Sequence, residues 1–346
     1  MGELTEAQIR LARTHAQGLA GERATSVVDA VRRVVGLQGQ DVRATRLAVR
    51  VRTQGLTRST VDEAVNVHRT VVRTWAMRGT LHLLPAEDVG WIVNLLGPYF
   101  AKGMAGRRRQ LGLDEGTCER GVAALEEVLK AGPLTRADLV AHIADHQVVL
   151  DPKSQAPAHL LAYAAMHGVV CRGPDIEKDE ATYVLIRDWV GDQPTRSSDE
   201  ALRTLAERYL AGYGPAGPED FAAWSGLPLG QARGAFAEAH APENEPEQSG
   251  QVRLLGHFDT YLLGYRNRAL AVPAEHDRKI QSGGGFIMPA VLVDGRVVGT
   301  WRQTRRTGHL HIGIEGFERM PKRLEPGIEA EIADLGRFLG VPSGSE

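Results

Sequence analysis

The chain has 346 residues, and its 41 Lys and Arg nearly balance 43 Asp and Glu, which excludes a protein whose whole surface is basic. That length can bury a core without covalent help, and two cysteines without CxxC spacing exclude a disulfide scaffold or a zinc site. No run of residues approaches eighteen continuous apolar positions, so we expect a cytoplasmic protein that makes no membrane contact.

Helix and strand signals follow one order three times along the chain. In the first segment, apolar periodicity predicts helices over 3–19, 26–37, 41–54 and 59–67, followed by the β-like runs VVRTWAM and GTLHLLP. In the second, it predicts helices over 118–130, 135–146 and 157–167, followed by GVVCRG and ATYVLIRDWV. In the third, it predicts helices over 198–210, 218–225 and 228–239.

Three helices followed by a two-stranded wing is the order of a winged helix-turn-helix unit. After Gly250 the residues become β-branched and aromatic, with turn signals at Asp294-Gly295 and Thr307-Gly308. We therefore predict an α+β fold with tandem winged helix-turn-helix repeats followed by a small antiparallel β-sheet or barrel domain. The predicted boundaries are 1–95, 96–195, 196–250 and 251–346.

Basic residues are concentrated in two places despite the neutral total. Residues 32–58 contain seven arginines, Arg43 and Arg46 among them, and one acid, Asp41. The stretch RQTRRTGHLH is predicted to form a hairpin whose basic side chains are Arg302, Arg305, Arg306, His309 and His311. Such segregation suits contact with phosphates on one face, and a basic hairpin can enter a DNA groove. The alternatives are a solvated arginine-rich face and an edge hairpin that uses charge against aggregation.

The pentapeptide GLQGQ, at 36–40, places two glutamines beside a glycine at the predicted end of a helix. One interpretation is a helix terminus with two solvated amides. The other is a pair that orients a reactant, because glutamine cannot act as a base near neutral pH. An extended backbone would point Gln38 and Gln40 to the same side, whereas a helix would place them about 200° apart. The second interpretation therefore predicts an extended or turn segment after a helix.

A polar alternation follows in RGTLHLL. Arg78, Thr80 and His82 alternate with Gly79, Leu81 and Leu83, so on a strand the three polar residues would share one face. That face would either line a DNA-binding channel or form a structural hydrogen-bonded set.

Four motifs in order along the chain carry a family resemblance. They are GLQGQ, then RTWAMRGTLHLLPAED at 73–88, HFDTYLLGYRNR at 257–268 and VLVDGRVVGTWR at 291–302. Together they resemble the AlkZ/YcaQ-like winged-helix DNA glycosylase family. The resemblance implies a tandem winged-helix scaffold with a C-terminal β-domain that grips damaged double-stranded DNA in a basic channel. It also implies a catalytic motif of Gln, an apolar residue, and then Gln or Asp.

The catalytic positions of the motif match Gln38 and Gln40 in this chain. Gly39 stands where the family has an aliphatic residue, which puts the lesion preference in doubt more than the chemistry. Asp41 lies one position beyond the carboxylate of the Asp-containing branch, so we do not assign it a catalytic role. The implied DNA contacts are Arg43, Arg46, Arg78, Thr80, His82, Arg302, Arg305, Arg306 and His309.

The expected activity is that of a monofunctional DNA glycosylase acting on cationic N7-alkylguanine adducts of bulky natural products, in self-resistance or base excision repair. A cationic base leaves without protonation, so two amides that orient water would suffice. No lysine near the motif can form a Schiff base, and we expect no metal, no organic cofactor and a monomer. The alternative is a non-catalytic winged-helix DNA-binding protein or transcription regulator, which would dimerise.

Overall fold

The computed structural model describes residues 4–194, 196–239, 250–306 and 308–345, and its fold is mixed α+β. Residue contacts divide the chain into two compact units. Unit 1 combines Met1–Asp62 with Arg203–Glu346, and unit 2 is Glu63–Leu202. Within the described residues, we find no helix that is both long and apolar enough to cross a membrane.

The elements are introduced here in chain order. Unit 1 begins with α1 (Glu6–Ala16), α2 (Val27–Arg33), β1 (Leu37–Gln38), α3 (Val42–Arg52) and α4 (Arg58–Asn66), which crosses into unit 2. Unit 2 continues with β2 (Val71–Trp75), β3 (Leu81–Pro85), α5 (Val89–Gly103), α6 (Ala105–Gln110), α7 (Glu115–Val128), β4 (Leu134–Thr135), α8 (Arg136–Ala144), α9 (Ala156–Met166), β5 (Val170–Ile176), β6 (Glu180–Leu185) and α10 (Ile186–Val190). The chain returns to unit 1 within α11 (Ser198–Tyr213) and ends with α12 (Pro218–Ser225), α13 (Leu229–Glu238), β7 (Val252–Leu255), α14 (Thr260–Leu263), α15 (Asp277–Ile280), β8 (Ala290–Val293), β9 (Arg296–Arg306), β10 (His309–Gly316), α16 (Glu325–Leu339) and β11 (Ser343–Ser345).

Polar capping residues set the start of several helices. Thr5 and Gln8 form a reciprocal capping box at the start of α1. Side chains of Ser26, Asp114 and Thr135 each accept a hydrogen bond from the backbone N–H three residues later, at the starts of α2, α7 and α8. These caps lie close to the predicted helix starts, because short polar side chains compete well for the unpaired N–H groups of a first turn.

The sheet of unit 2 places its strands in the order β3-β2-β5-β6-β4, with antiparallel neighbours. Helices α7, α8 and α9 pack against it through a buried cluster that includes Leu125, Leu139, Leu160, Val170 and Leu185. The strand β4 pairs with β6, and Leu134 lies opposite Tyr183. In chain order this half of unit 2 reads helix, strand, helix, helix, strand, strand.

The sheet of unit 1 has the order β11-β10-β9-β8-β7. Trp301, Leu310 and Ile312 are buried against Leu335 of α16 in one apolar cluster. This is an open sheet, so the barrel alternative of the prediction is wrong. It is also not purely antiparallel, because β11 runs parallel to β10. The helix α16 lies between these two strands in sequence and returns the chain to the same end of the sheet, as a parallel connection requires.

Other elements of the C-terminal region also differ from the prediction. The region after Gly250 is not all strand, because β7 ends at Leu255 and Asp259 then caps α14 by accepting from the Tyr261 N–H. We did not predict α16, although Ile328, Ile332 and Leu335 have the spacing of one helical face. The predicted domain boundaries describe sequence repeats, whereas unit 1 and unit 2 are defined by residue contacts. The boundaries 1–95, 96–195, 196–250 and 251–346 therefore stay a prediction.

Candidate active site

Within the GLQGQ pentapeptide, Leu37 and Gln38 form a short extended strand that follows a helix, and this is the backbone predicted for two amides that share one side. Helix α2 ends in a Schellman motif, in which Val35 N–H donates to Arg32 O at 3.1 Å and Gly36 N–H donates to Val31 O at 3.0 Å. The φ angle of Val35 is +55°, where glycine is the usual residue. This turn ends the helix sharply, so Leu37 and Gln38 emerge as the extended strand β1.

Helix α11 supports the end of α2 from within the same unit. The Tyr213 hydroxyl donates to Val34 O at 2.9 Å, which satisfies a carbonyl that has no partner inside the helix. Gly212 lies so close that a Cβ added there would be 2.2 Å from Arg33 O. A larger residue at 212 would push α11 away from the turn that leads into the glutamines.

The two glutamine side chains meet, as an extended backbone predicts. Gln38 Nε2 donates to Gln40 Oε1 at 2.9 Å. Gln38 is buried and Gln40 is exposed, so the amide pair reaches from the protein interior to the surface. Gly39 between them is buried. A pair of neutral amides fixed in this way can orient a small polar molecule, but it cannot remove a proton.

Helix α3 holds the backbone of the motif through Thr45. The Thr45 hydroxyl oxygen lies 2.9 Å from Gln38 O and 2.7 Å from Asp41 O, so both carbonyl oxygens share its single hydrogen as acceptors. The Asp41 carboxylate caps α3 by accepting from the Ala44 N–H at 2.7 Å. Asp41 therefore has a structural role at the head of the helix.

Arg50 and Arg52, in the basic stretch 32–58, are almost completely buried. Arg50 pairs with Glu331 at 2.8 Å and with Asp334 at 3.0 Å. Arg52 makes two bonds to Asp259, at 2.7 and 2.8 Å. Burial lowers the pKa of Arg52, but the attraction of the Asp259 carboxylate outweighs it and the net shift is upward. These charges fasten α3 inside unit 1 and do not face a phosphate backbone.

The predicted DNA contacts on α3 divide into one exposed and one buried residue. Arg43 is exposed in the first turn, just after the glutamine pair. Arg46 is buried, and its Nε lies 2.6 Å from Asp62 Oδ1. The structure therefore corrects the prediction for Arg46, because a buried, ion-paired guanidinium is held away from solvent. The charge count alone could not separate these two residues.

In unit 2 the polar set Arg78, Thr80 and His82 does not form one strand face. Arg78 lies in a 3₁₀ turn at φ +57°, and β3 begins only at Leu81. The Thr80 hydroxyl donates to Met77 O at 3.1 Å. His82 is fully buried with Nδ1 at 3.0 Å from Thr80 O. The arrangement favours the structural interpretation for Thr80 and His82, which is a correction to their assignment as DNA contacts.

Burial gives His82 an unusual protonation equilibrium. Loss of hydration lowers the pKa of His82 to about 3, with a smaller contribution from the positive charge of Arg78. The imidazole is therefore neutral near pH 7. A neutral, buried ring cannot provide a cation for a phosphate.

The predicted basic hairpin is formed by β9 and β10. Arg306 lies opposite His309 and Thr304 lies opposite His311, so these four residues share one face of the sheet with Arg302. The other face carries Arg305 beyond the buried Trp301, Leu310 and Ile312. Arg302, Arg305, Arg306 and His309 are all exposed. Gly308 of the predicted turn has φ +82°, and Thr307 lies outside the described residues.

Two features of the site were missed by sequence reasoning. Thr45 had no signal beyond its place in the first turn of a predicted helix. The partners of Arg50 and Arg52 come from distant parts of the chain, Glu331 and Asp259, and no local pattern indicates them. Within the described ranges no group of three or more His, Cys, Asp and Glu side chains is arranged to hold a metal ion.

Comparisons with known proteins identify the family of this chain. The family model described as DNA glycosylase AlkZ-like matches residues 31–338. The chain is 30% identical to the interstrand DNA cross-link repair glycosylase of Streptomyces sahachiroi, with 91% of each chain covered. It is similar in structure to the Streptomyces sahachiroi DNA glycosylase AlkZ, with a TM-score of 0.81 and 25% identity over 100% of both chains. The chain therefore belongs to the AlkZ-like family of DNA glycosylases, which are hydrolases that act on N-glycosyl bonds.

Proposed function

We propose that this chain is a monofunctional glycosylase that hydrolyses the N-glycosidic bond of cationic N7-alkylguanine adducts, including bulky ones, in double-stranded DNA. The observation that carries the proposal is the amide pair of Gln38 and Gln40. It lies on an extended segment at the head of α3, and it reaches the surface at Gln40. Gln38 and Gln40 are the residues that we propose for catalysis.

The proposed chemistry needs no strong base. In an N7-alkylated guanine the purine carries a positive charge, so cleavage of the bond from the sugar to N9 returns the bonding electrons to a cation and releases a neutral base. The sugar becomes an oxocarbenium-like centre, and a water oxygen attacks its anomeric carbon. The water then loses a proton to solvent. The amide oxygens orient that water and face the developing positive charge.

The surroundings of the pair support the use of amides in place of a carboxylate. The nearest acid in sequence, Asp41, caps α3 through its carboxylate, and it is therefore engaged at the helix end. No lysine precedes Lys102 in the chain, so the sequence around the motif has no amine to form a Schiff base with the sugar. Water, and not a covalent enzyme intermediate, is then the nucleophile.

We further propose that Arg43, Arg78 and the hairpin residues Arg302, Arg305, Arg306 and His309 contact the DNA backbone or its grooves. Exposure of Arg43 and of the hairpin side chains supports these assignments. Arginine in a hairpin can enter the minor groove, whose negative potential attracts it. Arg46 and His82 are no longer included, because both are buried, and Thr80 is no longer included, because its hydroxyl donates to Met77 O.

The tandem winged-helix architecture is part of the same proposal. The order α7, β4, α8, α9, β5, β6 and the pairing of both β4 and β5 with β6 match a winged helix-turn-helix unit. The order α2, β1, α3, α4, β2, β3 repeats it along the chain. In each repeat the third helix, α4 or α9, is the element that such units usually present to DNA.

A role in DNA repair follows from the family, and the name of the curated relative suggests the lesion. That relative is an interstrand DNA cross-link repair glycosylase. A cross-link formed through N7 of guanine leaves a cationic base at each attachment. Such a base leaves without protonation, so two amides that orient water would suffice for its release. We therefore propose that this chain also unhooks such cross-links, in self-resistance to DNA-alkylating compounds or in base excision repair.

The test is single-turnover release of N7-methylguanine from a defined duplex by the wild-type protein and by Gln38→Ala and Gln40→Ala. Loss of one preorganised group aimed at a charged transition state typically costs about 10²- to 10³-fold in rate. We expect losses of that order in each variant and similar DNA affinity in all three proteins. Binding of the lesion by wild-type protein without release of the base would refute the proposal and favour a non-catalytic DNA-binding role.

A further inference from the structure

Six arginines are buried among the residues that the structure describes, and five of them pair with a carboxylate. The pairs are Arg13–Asp220, Arg46–Asp62, Arg50–Glu331, Arg52–Asp259 and Arg73–Asp175. Arg108 is the sixth, at 7% exposure, and no described Asp or Glu oxygen lies within 4.0 Å of it. Burial of a cation without an opposite charge is costly, so this position calls for an explanation.

The neighbours of Arg108 fix its guanidinium but do not neutralise it. Arg108 Nη1 donates to Ala101 O at 2.7 Å. The guanidinium carbon lies 4.5 Å from the centre of the Tyr163 ring. Burial raises the pKa of the nearby Cys118 thiol, against an opposing effect of Arg108, so the thiol stays protonated and supplies no negative charge. The positive charge is therefore held in one place, with no described carboxylate in direct contact with it.

Arg108 lines a cavity of about 380 Å³ inside unit 2, between α5, α6, α7 and α9. Lys102, Arg109 and His167 line the same cavity, and Glu115 is the acid among its lining residues. Lys102 and Arg109 are exposed, so they extend the positive charge from the buried arginine to the opening. The volume is at the lower end of the range for small-ligand sites.

The pKa of a second residue is affected by the positive charge in this region. The pKa of His159, on α9, is lowered by burial and then by the charges of Arg107 and Arg108. Protonation of a histidine is therefore disfavoured here, as expected where positive charge already predominates.

We propose that this cavity is an anion site that binds a phosphate ester of a nucleotide, with Arg108 at its base and Lys102 and Arg109 at its opening. Arginine forms planar, charge-assisted hydrogen bonds to phosphate, and a guanidinium held by a carbonyl and an aromatic ring loses little freedom on binding. The volume accommodates one nucleotide or one projecting phosphate and excludes a duplex. The phosphate belongs either to a DNA strand or to a free nucleotide.

The first experiment measures the thermal unfolding temperature at fixed ionic strength with increasing inorganic phosphate, 5′-dGMP or deoxyguanosine. Phosphate and 5′-dGMP are expected to raise it saturably, and deoxyguanosine is not. Arg109→Ala removes an exposed cation that lines the cavity, whereas Arg107→Ala removes one that does not and that bonds Gln155 and Gln110 instead. We expect Arg109→Ala to weaken the binding of 5′-dGMP about three- to tenfold and Arg107→Ala to leave that binding unchanged. Glu115→Gln removes the negative charge among the lining residues and should tighten the binding of 5′-dGMP.

The second experiment distinguishes the two sources of the phosphate. DNA affinity is measured against salt concentration for the same variants on one duplex. If the phosphate belongs to a DNA strand, Arg109→Ala lowers the salt slope by about one relative to Arg107→Ala. If it belongs to a free nucleotide, the slopes agree and only 5′-dGMP binding falls. The proposal is wrong if the unfolding temperature of wild-type protein shows no saturable response to phosphate and 5′-dGMP, or if Arg109→Ala and Arg107→Ala bind 5′-dGMP equally well.

Base release provides an independent readout. Binding of 5′-dGMP is measured without damaged DNA, so it does not depend on base release by Gln38 and Gln40. Failure of the anion site therefore leaves the proposed glycosylase activity standing, and failure of the activity leaves the anion site standing.

Discussion

The bond between Thr45 and the Gln38 carbonyl links the first catalytic candidate to helix α3. A hydroxyl that lies 2.9 Å from Gln38 O and 2.7 Å from Asp41 O fixes the backbone of the motif without touching its side-chain amides. Thr45 is therefore a positioning residue, and its effect should appear in the rate of base release more than in DNA affinity.

We expect Thr45→Val, which keeps the shape and removes the hydroxyl, to lower the single-turnover rate about tenfold. That figure corresponds to loss of one buried hydrogen bond of about 1 to 1.5 kcal/mol, expressed in the transition state. Thr45→Ser keeps the hydroxyl and should retain most of the rate. Equal rates for the valine and serine variants would show that the hydroxyl has no positioning role.

His82 should make the stability of the protein depend on pH. Its pKa is about 3 in the folded protein, below the ordinary value of 6.5, so between these pH values the unfolded chain binds a proton that the folded protein does not. The stabilising contribution is complete above pH 6.5 and falls as the pH decreases toward 3. At pH 5 the loss from this group alone is about 2 kcal/mol.

Urea denaturation at pH 7.5 and pH 5 measures this effect. His82→Gln should reduce the loss in free energy of unfolding between the two pH values, because glutamine does not ionise. His68→Gln is the matched control, since that side chain is exposed. The explanation would be abandoned if His82→Gln kept the full pH dependence of the wild-type protein.

At the residue scale, the sequence predicted which side chains could take part in the chemistry better than it predicted which side chains are buried. The two-residue period of an extended backbone was enough to place the Gln38 and Gln40 amides on one side. Charge could not tell Arg43, which is exposed, from Arg46, which is buried against Asp62. The difference depends on which tertiary neighbour covers each side chain, and that information is not local.

At the scale of elements, α3 acts as the support of the candidate site. Leu47 packs into the apolar cluster of the C-terminal sheet, and Arg50 and Arg52 form ion pairs with Glu331 and Asp259. Such buried pairs are not evidence of extra stability, but removing one partner is strongly destabilising. Substitutions of Arg50 or Arg52 would therefore disturb the position of the glutamines through folding and not through lost phosphate contacts.

The β9–β10 hairpin should behave differently, because its charges are exposed. We expect Arg302→Ala and Arg306→Ala, which lie on one sheet face, each to weaken DNA binding at all sequences and to lower the salt slope by about one. Titrations of a duplex at several salt concentrations measure both quantities. Arg233→Ala, an exposed arginine paired with Glu219, is the control and should change neither. If the salt dependence of DNA affinity is unchanged in both hairpin variants, the hairpin does not contact DNA, and its charges only protect an exposed sheet edge.

Helix and strand positions were largely predictable because their signals are local. The predicted helices over 135–146 and 218–225 correspond to α8 and α12. The helix α16 was not predicted although its apolar residues have helical spacing, because it directly follows a region in which β-branched and aromatic residues indicate strands. The parallel pairing of β11 with β10 depends on that helix, so it could not be anticipated without it.

At the scale of the molecule, the family and the enzyme class followed from four short motifs in the right order, and the comparisons confirm both. Local patterns did not predict that unit 1 is assembled from the two ends of the chain, Met1–Asp62 and Arg203–Glu346. Ion pairs such as Arg52–Asp259 join those ends across about two hundred residues of sequence. Compact units of this kind depend on tertiary contacts, which repeat order does not encode.

The central claim is that two amides suffice because the leaving base is already cationic. The most direct measurement compares base release from duplexes that differ only in one base, N7-methylguanine or the neutral base uracil. We predict release of N7-methylguanine by wild-type protein, its loss in Gln38→Ala and Gln40→Ala, and no release of uracil. Release of uracil at a comparable rate, or undiminished release of N7-methylguanine by both variants, would contradict the claim.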